Sequence, residues 1–507
     1  MAAIASDGFH TCQHAFSPVM APRRLMRAAM WSILLAAATY TTTDPDLWGH
    51  VRFGLDMIRG AGVPSPDLYS FTSDRTWINH EWLAEIAMAG AFRMAGDYGL
   101  IALKVAANAV MMLLLNAALR SEQLEAPIAR DTAAAVALVL TMEQLRHVRP
   151  QLFSIACFAA VMWYVSTSRR RSPAWLLLAP PLFALWANLH GGWLVGGAVL
   201  ALWIVAAAPT FDLRRNAFNL AIGIGSLGAT LLTPYHLRLW IFLRDTVAFS
   251  RADIVEWQPV YALGTPYVII WLFIAGVATA LLVQRVRQRT VDPASFTLVL
   301  LFAFASFRVN RLEAFFAIAA AMLLAGGWRA VVDRQRASPP PSRASLVVAG
   351  FIGAGLLAGA LIVTIQNVAC VRIPDEGYPE REAAPAMAAA GLHGRMLTFF
   401  DWGEYAIWYL PQLSVSLDGR RETVYSDATV DTQVALYFDP STRRAALQRW
   451  QPEYAWLPTR LPLTAALKAD GWSTLFAGQQ STVLSARPAK PFDVPRLAGG
   501  RRCFPGP

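Results

Sequence analysis

The stretch DPDLWGHVR at 44–52 places two carboxylates directly after an apolar run of membrane-spanning length. A further acid, Glu81, follows in WINHEW at 77–82. Carboxylates that a fold brings together can take a proton from a hydroxyl nucleophile or bind a divalent cation. We therefore predict Asp44, Asp46 and Glu81 as catalytic residues, with Asp46 and Glu81 as candidate ligands of Mg²⁺ or Mn²⁺. The alternative is that Asp44 and Asp46 form only the solvated end of a helix.

Four arginines lie in short polar turns, Arg146 and Arg149 in LRHVRP and Arg308 and Arg311 in RVNR. If the basic clusters elsewhere in the chain lie in the cytoplasm, these turns lie on the opposite side of the membrane, and basic residues are depleted on that side. Guanidinium groups bind phosphate oxygens through paired N–H donors. The four arginines therefore predict a site for a phosphate or pyrophosphate group, although Arg146 could instead extend to the membrane interface.

Three histidines and one further acid complete the candidate substrate contacts. His50 and His80 accompany the acids of the first loop, His190 lies in NLHGGW, and Glu256 lies in DIVEWQP. A histidine in a short turn either packs as a hydrogen-bonding residue or acts as a base, and the sequence leaves both readings open. We predict all four residues as substrate-binding.

The elements that must position these residues are hydrophobic helices. The 507-residue chain is 55% hydrophobic and only 15% charged, which is typical of a polytopic membrane protein. A transmembrane helix requires an apolar run that is long enough to cross ~30 Å of hydrocarbon. Such runs lie at 25–43, 98–119, 131–146, 150–167, 173–189, 191–209, 216–235, 264–284, 292–308, 311–326 and 343–365. The segment 81–96 is too short and interrupted to be another, so we expect an all-α membrane domain of about eleven transmembrane helices.

Basic clusters predict the orientation of these helices. With eleven spans, the clusters share one side with the arginines of the N-terminal APRRLMR; they lie at 120–130, 166–173, 212–216, 284–290 and 328–343. The positive-inside rule assigns that side to the cytoplasm. We therefore expect a cytoplasmic N-terminal segment at 1–24 and an extracytoplasmic first loop at 44–97, in a bacterial inner membrane. The net charge of +10 is largely this orientation signal and argues against a nucleic-acid site.

After about residue 370 the sequence becomes more polar and contains no further apolar run of membrane-spanning length. We therefore divide the chain into a membrane domain at 25–369 and an extracytoplasmic domain at 370–507. The later part alternates strand-like and helix-like stretches and predicts a small α/β domain. In SLDGRRE, Asp418 and Arg420 either contact a ligand or form a buried pair that holds the turn. Cys370 and Cys503 bracket the domain, and an oxidising compartment would permit a disulfide between them.

Several motifs together resemble the GT-C glycosyltransferases, a superfamily that includes the oligosaccharyltransferase catalytic subunits and the protein O-mannosyltransferases. DLWGHVR is similar to the acidic first-loop motif of the oligosaccharyltransferases. A longer set resembles bacterial GT-C-type membrane proteins, mostly without assigned substrates, from residue 44 to about 486. These motifs are DPDLWGH, NHEWL, RPQLFS, NLHGGW, LLTPYH, RVNRLEAFFAIA, DWGEYAIWYLP and SLDGRRETVY.

The resemblance implies transfer of a sugar from a polyprenyl-phosphate-linked donor on the extracytoplasmic side. Asp44 or Asp46 occupies the position of the first-loop carboxylate that acts as general base or metal ligand, with Glu81 as its partner. The acceptor is then a glycan, a lipid or a protein. DWGEYAIWY departs from the WWDYG order of oligosaccharyltransferases, which puts transfer to asparagine in doubt. The alternative function is a transporter or export partner that binds a lipid-linked glycan without catalysis.

Overall fold

A computed structural model describes residues 20–63, 66–124, 126–170, 172–247, 254–337, 339, 341–494 and 500–506. Most of the predicted N-terminal segment, including Cys12, lies outside these residues. Each of the eleven predicted apolar runs contains a helix. The helices up to residue 368 are α1 (Met20–Thr39), α2 (Leu47–Asp56), α3 (Trp82–Ala95), α4 (Asp97–Ser121), α5 (Pro127–Thr141), α6 (Gln151–Thr167), α7 (Ala179–Leu189), α8 (Trp193–Ala207), α9 (Leu213–Ala229), α10 (Leu237–Val247), α11 (Thr265–Arg287), α12 (Pro293–Arg308), α13 (Glu313–Leu323), α14 (Arg329–Ala337) and α15 (Arg343–Val368).

Only some of these helices are long and apolar enough to cross a membrane alone. In the described residues four helices qualify: α4, α8 with its extension to Thr210, α11 and α15. The bent pair Asn310–Leu323 and Ala325–Ala337, with an angle of 69°, would make a fifth if it is one span. Shorter apolar helices occupy Gln151–Thr167, Pro173–Leu189 and Pro293–Arg308. The count of eleven transmembrane helices therefore stays a prediction.

Several of the basic clusters assigned to the cytoplasm meet at one end of the helices. Glu122, from the first of these clusters, accepts ion pairs from Arg170 at 2.8 Å and from Arg285 at 3.2 Å. Arg169 pairs with Asp292 at 2.6 Å, and the same aspartate caps α12 by accepting from the Ser295 amide. Arginines from different clusters therefore share one end of the fold, while the side of the membrane on which that end lies stays a prediction.

The C-terminal domain is a mixed sheet with helices packed against it, as the alternation of strand-like and helix-like stretches predicted. Its helices are α16 (Ala383–Ala389), α17 (Gly403–Tyr409), α18 (Asp427–Phe438), α19 (Pro440–Trp450) and α20 (Pro462–Ala469). Its strands are β1 (Gly394–Thr398), β2 (Leu413–Val415), β3 (Tyr454–Pro458), β4 (Ser473–Ala477) and β5 (Ser481–Ser485). The strand order is β2-β1-β3-β5-β4. Strand β1 runs parallel to β2 and β3, and β5 runs antiparallel to β3 and β4.

The first loop joins the two domains. After α2 the chain runs along the edge of the sheet, where the amide of Phe71 donates to the Val415 carbonyl at 3.1 Å. Arg420 pairs with Asp418 at 2.6 Å and with Asp67 of the first loop at 2.5 Å. Since Asp418 and Arg420 are both buried, the structure supports the buried-pair alternative for SLDGR.

The segment 500–506 returns to the start of the C-terminal domain and to the first loop. Cys503 forms a disulfide with Cys370, so the pairing that the sequence permitted is present. The carbonyl of Pro505 accepts from the Trp48 indole at 2.8 Å and from the Tyr409 hydroxyl at 2.6 Å. Trp48 is fully buried beside the Phe504 ring. The disulfide-linked segment thus packs directly against the DPDLWGHVR motif.

Candidate active site

The two aspartates of DPD begin helix α2 and point to different neighbours. Pro45 lies between them and interrupts regular secondary structure before the helix. The Asp46 amide donates to Asp44 Oδ1 at 3.0 Å, which closes a tight turn. Asp44 is only 3% exposed, and its other oxygen pairs with Arg149. The local turn therefore fixes Asp44 as a structural acceptor while Asp46 follows at the N-cap of the helix.

Arg149 and Arg311 are joined through acids into what we call the ion-pair chain: Asp44, Arg149, Glu256 and Arg311. Glu256 pairs with Arg149 through Oε1 and with Arg311 through Oε2, the latter at 3.0 Å. Burial alone raises the pKa of Asp44 and of Glu256, but the neighbouring arginine charges outweigh burial and hold both pKa values below the ordinary range. Asp44 and Glu256 therefore stay ionised at neutral pH.

Asp46 lies in a different electrostatic environment. Burial, and then the negative charge of Asp44, raise the pKa of Asp46 to about 6. Arg149 and His50 act in the opposite direction without cancelling this increase. Asp46 is therefore a carboxylate that gains and loses a proton near neutral pH, as a general base must.

Glu404 of helix α17 also faces this acid, and the sequence analysis did not select it. Its Oε2 accepts from the Gly49 amide at 3.1 Å, and the residue is 3% exposed. Burial and then the charge of Asp46 raise the pKa of Glu404 well above its ordinary value. The signal available in the sequence was an acid inside the aromatic run DWGEYAIWY, whose position relative to the first loop is set only by the tertiary fold.

Glu81 lies between two histidines, one beside it in the sequence and one from the distant motif NLHGGW. Its Oε1 is 3.6 Å from His80 Nε2 and 3.5 Å from His190 Nε2. His190 Nδ1 accepts from the Gly192 amide at 2.9 Å, and burial lowers the pKa of His190 to about 3. His190 is therefore neutral and carries its proton on Nε2, directed at Glu81.

His50 pairs with an acid of helix α3. Its Nδ1 lies 3.3 Å from Glu85 Oε1, and Glu85 also accepts from the Asn79 amide group at 2.6 Å. Burial alone lowers the pKa of His50, but the hydrogen bond with Glu85 and the charge of Glu81 raise it to about 9. His50 is therefore a cation at neutral pH that joins α2 to α3.

Comparison with solved structures identifies the architecture of the chain. The chain is similar to crystal structures of ArnT from Cupriavidus metallidurans, one in the apo state and one bound to undecaprenyl phosphate. Each similarity has a TM-score of 0.53 and covers 92% of this chain and 98% of ArnT, at 14% and 13% identity. The chain has the GT-C fold.

A cryo-EM structure of the arabinofuranosyltransferase AftD from Mycobacteria is also similar, with a TM-score of 0.50 and 14% identity. That similarity covers 92% of this chain and 42% of AftD. No protein-family model and no curated protein matches the sequence. The predicted GT-C architecture is thus confirmed at the level of the fold.

Arg146 and Arg308 lie apart from the ion-pair chain within this GT-C fold. The Arg146 guanidinium stands 5.7 Å from the centre of the Tyr40 ring and 4.0 Å from Glu143. Arg308 donates to the Tyr261 hydroxyl at 3.2 Å. Of the four arginines predicted for one phosphate site, the structure joins Arg149 and Arg311 and directs the other two elsewhere.

The predicted metal ligands do not meet as a complete ligand set. Among the described residues, one group brings three candidate ligand atoms within 4.8 Å of one another: Asp97 with Cys370 and Cys503. Asp46 and Glu81 belong to no such group in that part of the chain. The divalent cation therefore stays a proposal.

A small cavity adjoins the ion-pair chain. It has a volume of about 60 Å³, and its lining includes Arg149, Glu256, Tyr267 and Asn310. Asn310 is buried, and its Oδ1 has no hydrogen-bond partner among the residues that the structure describes. Because a water needs about 10–15 Å³ of such space, the cavity is large enough for several waters or a small polar group beside the arginines.

Proposed function

We propose that the protein is a membrane glycosyltransferase that moves a sugar from a polyprenyl-phosphate-linked donor to an acceptor hydroxyl on the extracytoplasmic face. The observation that carries this proposal is Asp46, a titratable carboxylate next to an ion-pair chain that holds two arginines. The GT-C fold supports it, since ArnT has this fold and one ArnT structure is bound to undecaprenyl phosphate. The acceptor class, whether glycan, lipid or protein, is part of the proposal that the experiment below resolves.

In the proposed reaction Asp46 is the general base. It accepts the proton of the acceptor hydroxyl while the oxygen attacks the anomeric carbon of the donor sugar. The bond between that carbon and the phosphate oxygen breaks, and polyprenyl phosphate leaves with the electron pair. Asp46 then releases its proton to water. A base with a pKa of about 6 is mostly ionised at neutral pH and still basic enough to assist this step.

Arg149 and Arg311 are proposed to bind the donor phosphate. The ion pairs engage Nε and Nη1 of Arg149, and a guanidinium carries five N–H donors. The side chain can therefore hold its two carboxylates and still donate to a phosphate oxygen. Asp44 and Glu256 hold the Arg149 guanidinium in one orientation before the donor arrives. This reduces the conformational entropy lost on binding.

Glu81 with His80 and His190 is proposed to bind the transferred sugar. A carboxylate and a neutral imidazole together offer acceptors and a donor for sugar hydroxyl groups. A divalent cation at Asp46 and Glu81 is a separate proposal. It predicts that EDTA removes transfer activity and that added Mg²⁺ or Mn²⁺ restores it.

The test is a transfer assay on the purified protein in lipid nanodiscs with a panel of radiolabelled polyprenyl-phosphate sugars. Wild type is compared with Asp46→Asn and Glu81→Gln, and with Glu143→Gln as a control whose side chain is exposed. We expect wild type and the control to consume one donor. Asp46→Asn should bind that donor and fail to turn it over. Binding of a donor without turnover by wild type, with every acceptor class offered, would favour the non-catalytic handler.

The orientation is also proposed, with the N-terminus in the cytoplasm and the C-terminal domain outside the bacterial inner membrane. The shared end of the basic clusters supports it. Single cysteines introduced at exposed positions Met94 and Phe438 should react with a membrane-impermeant thiol reagent from the periplasm. A cysteine introduced at Arg336 should react only after the membrane has been permeabilised.

A further inference from the structure

A groove between helices α1, α4 and α5 lies outside the candidate active site. It has a volume of about 500 Å³, and most of the side chains that line it are apolar, among them Leu34, Met112 and Leu138. Leu35 and Leu113 also line the groove and are themselves 41% and 67% exposed. Within the part of the chain that the structure describes, the groove therefore opens at the surface of the membrane domain, where apolar side chains face lipid.

The length of the groove matches one leaflet of a bilayer. Arg27 and Ala38 of helix α1 both line it, and a helical rise of about 1.5 Å per residue places them about 16 Å apart along the helix axis. The hydrocarbon core of a bilayer is about 30 Å thick, so each leaflet contributes about 15 Å. One acyl chain of a membrane lipid therefore has the right length to fill the groove.

The ionisable side chains of the groove lie together at one end of it. Arg27 forms an ion pair with Asp131 at 2.5 Å, and the Trp31 indole also donates to Asp131 at 3.2 Å. Arg130, the neighbour of Asp131 near the start of α5, lines the same end. Because Arg27 already balances the charge of Asp131, this end of the groove carries a net positive charge from Arg130.

Arg130 has unused capacity to donate hydrogen bonds. Its Nη1 donates to the Asn116 side-chain oxygen at 3.5 Å. Its Nε is buried and has no hydrogen-bond partner among the described residues, where no ion pair joins Arg130 to an acid either. A buried donor without a partner costs free energy, and guanidinium groups bind phosphate oxygens through paired N–H donors. The charged end of the groove is therefore suited to a phosphate group.

We propose that this groove binds one acidic phospholipid of the cytoplasmic leaflet, with an acyl chain between α1, α4 and α5 and its phosphate at Arg130. The leaflet follows from the proposed orientation, since Arg27 and Arg130 both belong to basic clusters assigned to the cytoplasm. The phospholipid is separate from the sugar donor, whose phosphate is proposed to lie at Arg149 and Arg311. Helix α1 ends shortly before the DPD motif, so the bound lipid supports the helix that leads into the candidate active site.

The first test compares two lipids on the delipidated full-length protein in detergent. Phosphatidylglycerol and phosphatidylcholine with the same acyl chains are titrated, and native mass spectrometry counts the lipids that remain bound. We expect one phosphatidylglycerol to bind about tenfold more tightly, the effect of one hydrogen bond to a charged group, because the choline cation offsets the phosphate charge of the other lipid. The unfolding temperature should rise more with phosphatidylglycerol, since a ligand that binds the folded state stabilises it.

Two variants test the two parts of the groove, each with a matched control. Ala109 lines the groove and is exposed, so Ala109→Phe should block the acyl chain and lower the affinity for both lipids. Ala102→Phe is its control, because Ala102 is an exposed residue of the same helix that does not line the groove. Arg130→Gln should remove the preference for phosphatidylglycerol. Arg120→Gln is the control for charge, since Arg120 belongs to the same basic cluster and lies outside the groove.

Three results would overturn the proposal. Equal affinity of the wild-type protein for the two lipids would remove the role of Arg130, and this comparison depends on no variant. Equal effects of Arg130→Gln and Arg120→Gln would assign the preference to general surface charge. Displacement of phosphatidylglycerol by polyprenyl phosphate in wild type, but not in Ala109→Phe, would assign the groove to the tail of the donor. None of these measurements needs a sugar donor, so this inference and the proposed activity can fail separately.

Discussion

Asp44 and Asp46 are two residues apart and differ sharply in their surroundings. Asp44 pairs with Arg149, and its pKa is held below the ordinary range. Asp46 lies beside another acid, and its pKa is raised to about 6. The comparison shows that one short acidic motif supplies both a fixed charge that orders an arginine and a titratable group that can move a proton.

Asp46→Asn tests the titratable member and should have the largest effect. Loss of a general base lowers the rate by about 10² to 10⁴, while donor binding should be unchanged because the ion-pair chain is intact. Single-turnover kinetics with a separate donor-binding titration measures the two quantities. Weakened binding with an unchanged rate would assign Asp46 to substrate affinity instead.

Asp44→Asn tests the fixed member. Arg149, whose side chain is 23% exposed, then loses Asp44 as a charged partner and keeps Glu256. Since removal of one partner of a fully buried pair costs about 3–5 kcal/mol, we expect the free energy of unfolding to fall by less than this amount in denaturation in detergent micelles. Asp46→Asn serves as the control and should not lower stability. If the two variants lose equal stability, the two aspartates do not differ as the structure indicates.

Reduction of the disulfide tests whether the segment 500–506 supports the first loop. Removal of a native disulfide costs about 2–5 kcal/mol, so Cys503→Ser should lower the unfolding temperature and the transfer rate. Cys157, the described cysteine outside the disulfide, provides the control in Cys157→Ala. A variant that loses stability but keeps full activity would show that Trp48 holds the motif without Pro505.

The contributions of Asp44 and Asp46 to the stability of the folded state should change in opposite directions as the pH falls. Asp44 has a depressed pKa, so its stabilising effect is present above its ordinary value of 3.8 and disappears as pH falls through the folded pKa. Asp46 has a raised pKa, so the folded state binds the extra proton between pH 3.8 and about 6 and gains stability as pH falls through that window. Unfolding of wild type and Asp46→Asn at several pH values measures this gain, which the variant should lack. Transfer activity should fall over the same window because the base becomes protonated.

Arg308→Gln should have the smallest effect. Arg308 lies outside the ion-pair chain and donates to Tyr261 at the protein surface, where substitutions usually change stability by less than about 0.5 kcal/mol. Donor affinity should also stay close to that of wild type, in contrast to Arg311→Gln. A loss of donor affinity equal to that of Arg311→Gln would restore Arg308 to the phosphate site that the sequence predicted.

The helices were predictable because they depend on local hydropathy. Each apolar run became a helix, and the run at 343–365 corresponds to α15 within three residues of its end. The two helices inside the first loop, α2 and α3, were not predicted as such. Helix α2 packs against α17, and α2 and α3 pack against each other; such contacts are not encoded in a local window.

The site was predictable in its residue types and only partly in its pairings. Arg149 and Arg311 were selected together with Arg146 and Arg308 because all four share a residue type and a predicted side of the membrane. Glu256 pairs with only two of the four, Arg149 and Arg311. This pairing depends on the directions of side chains in short turns, which the sequence does not reveal. Glu404, which accepts from the Gly49 amide, escaped selection because it lies hundreds of residues away in another domain.

The contact between Trp48 and Pro505 spans 457 positions of the sequence. During synthesis, Trp48 and the aspartates beside it therefore exist long before the carbonyl group that completes their packing. The motif must remain compatible with a partly assembled membrane domain throughout that interval, with its tryptophan indole not yet bonded to Pro505. Order of appearance during synthesis, rather than distance in space, thus delays the final packing of the candidate site.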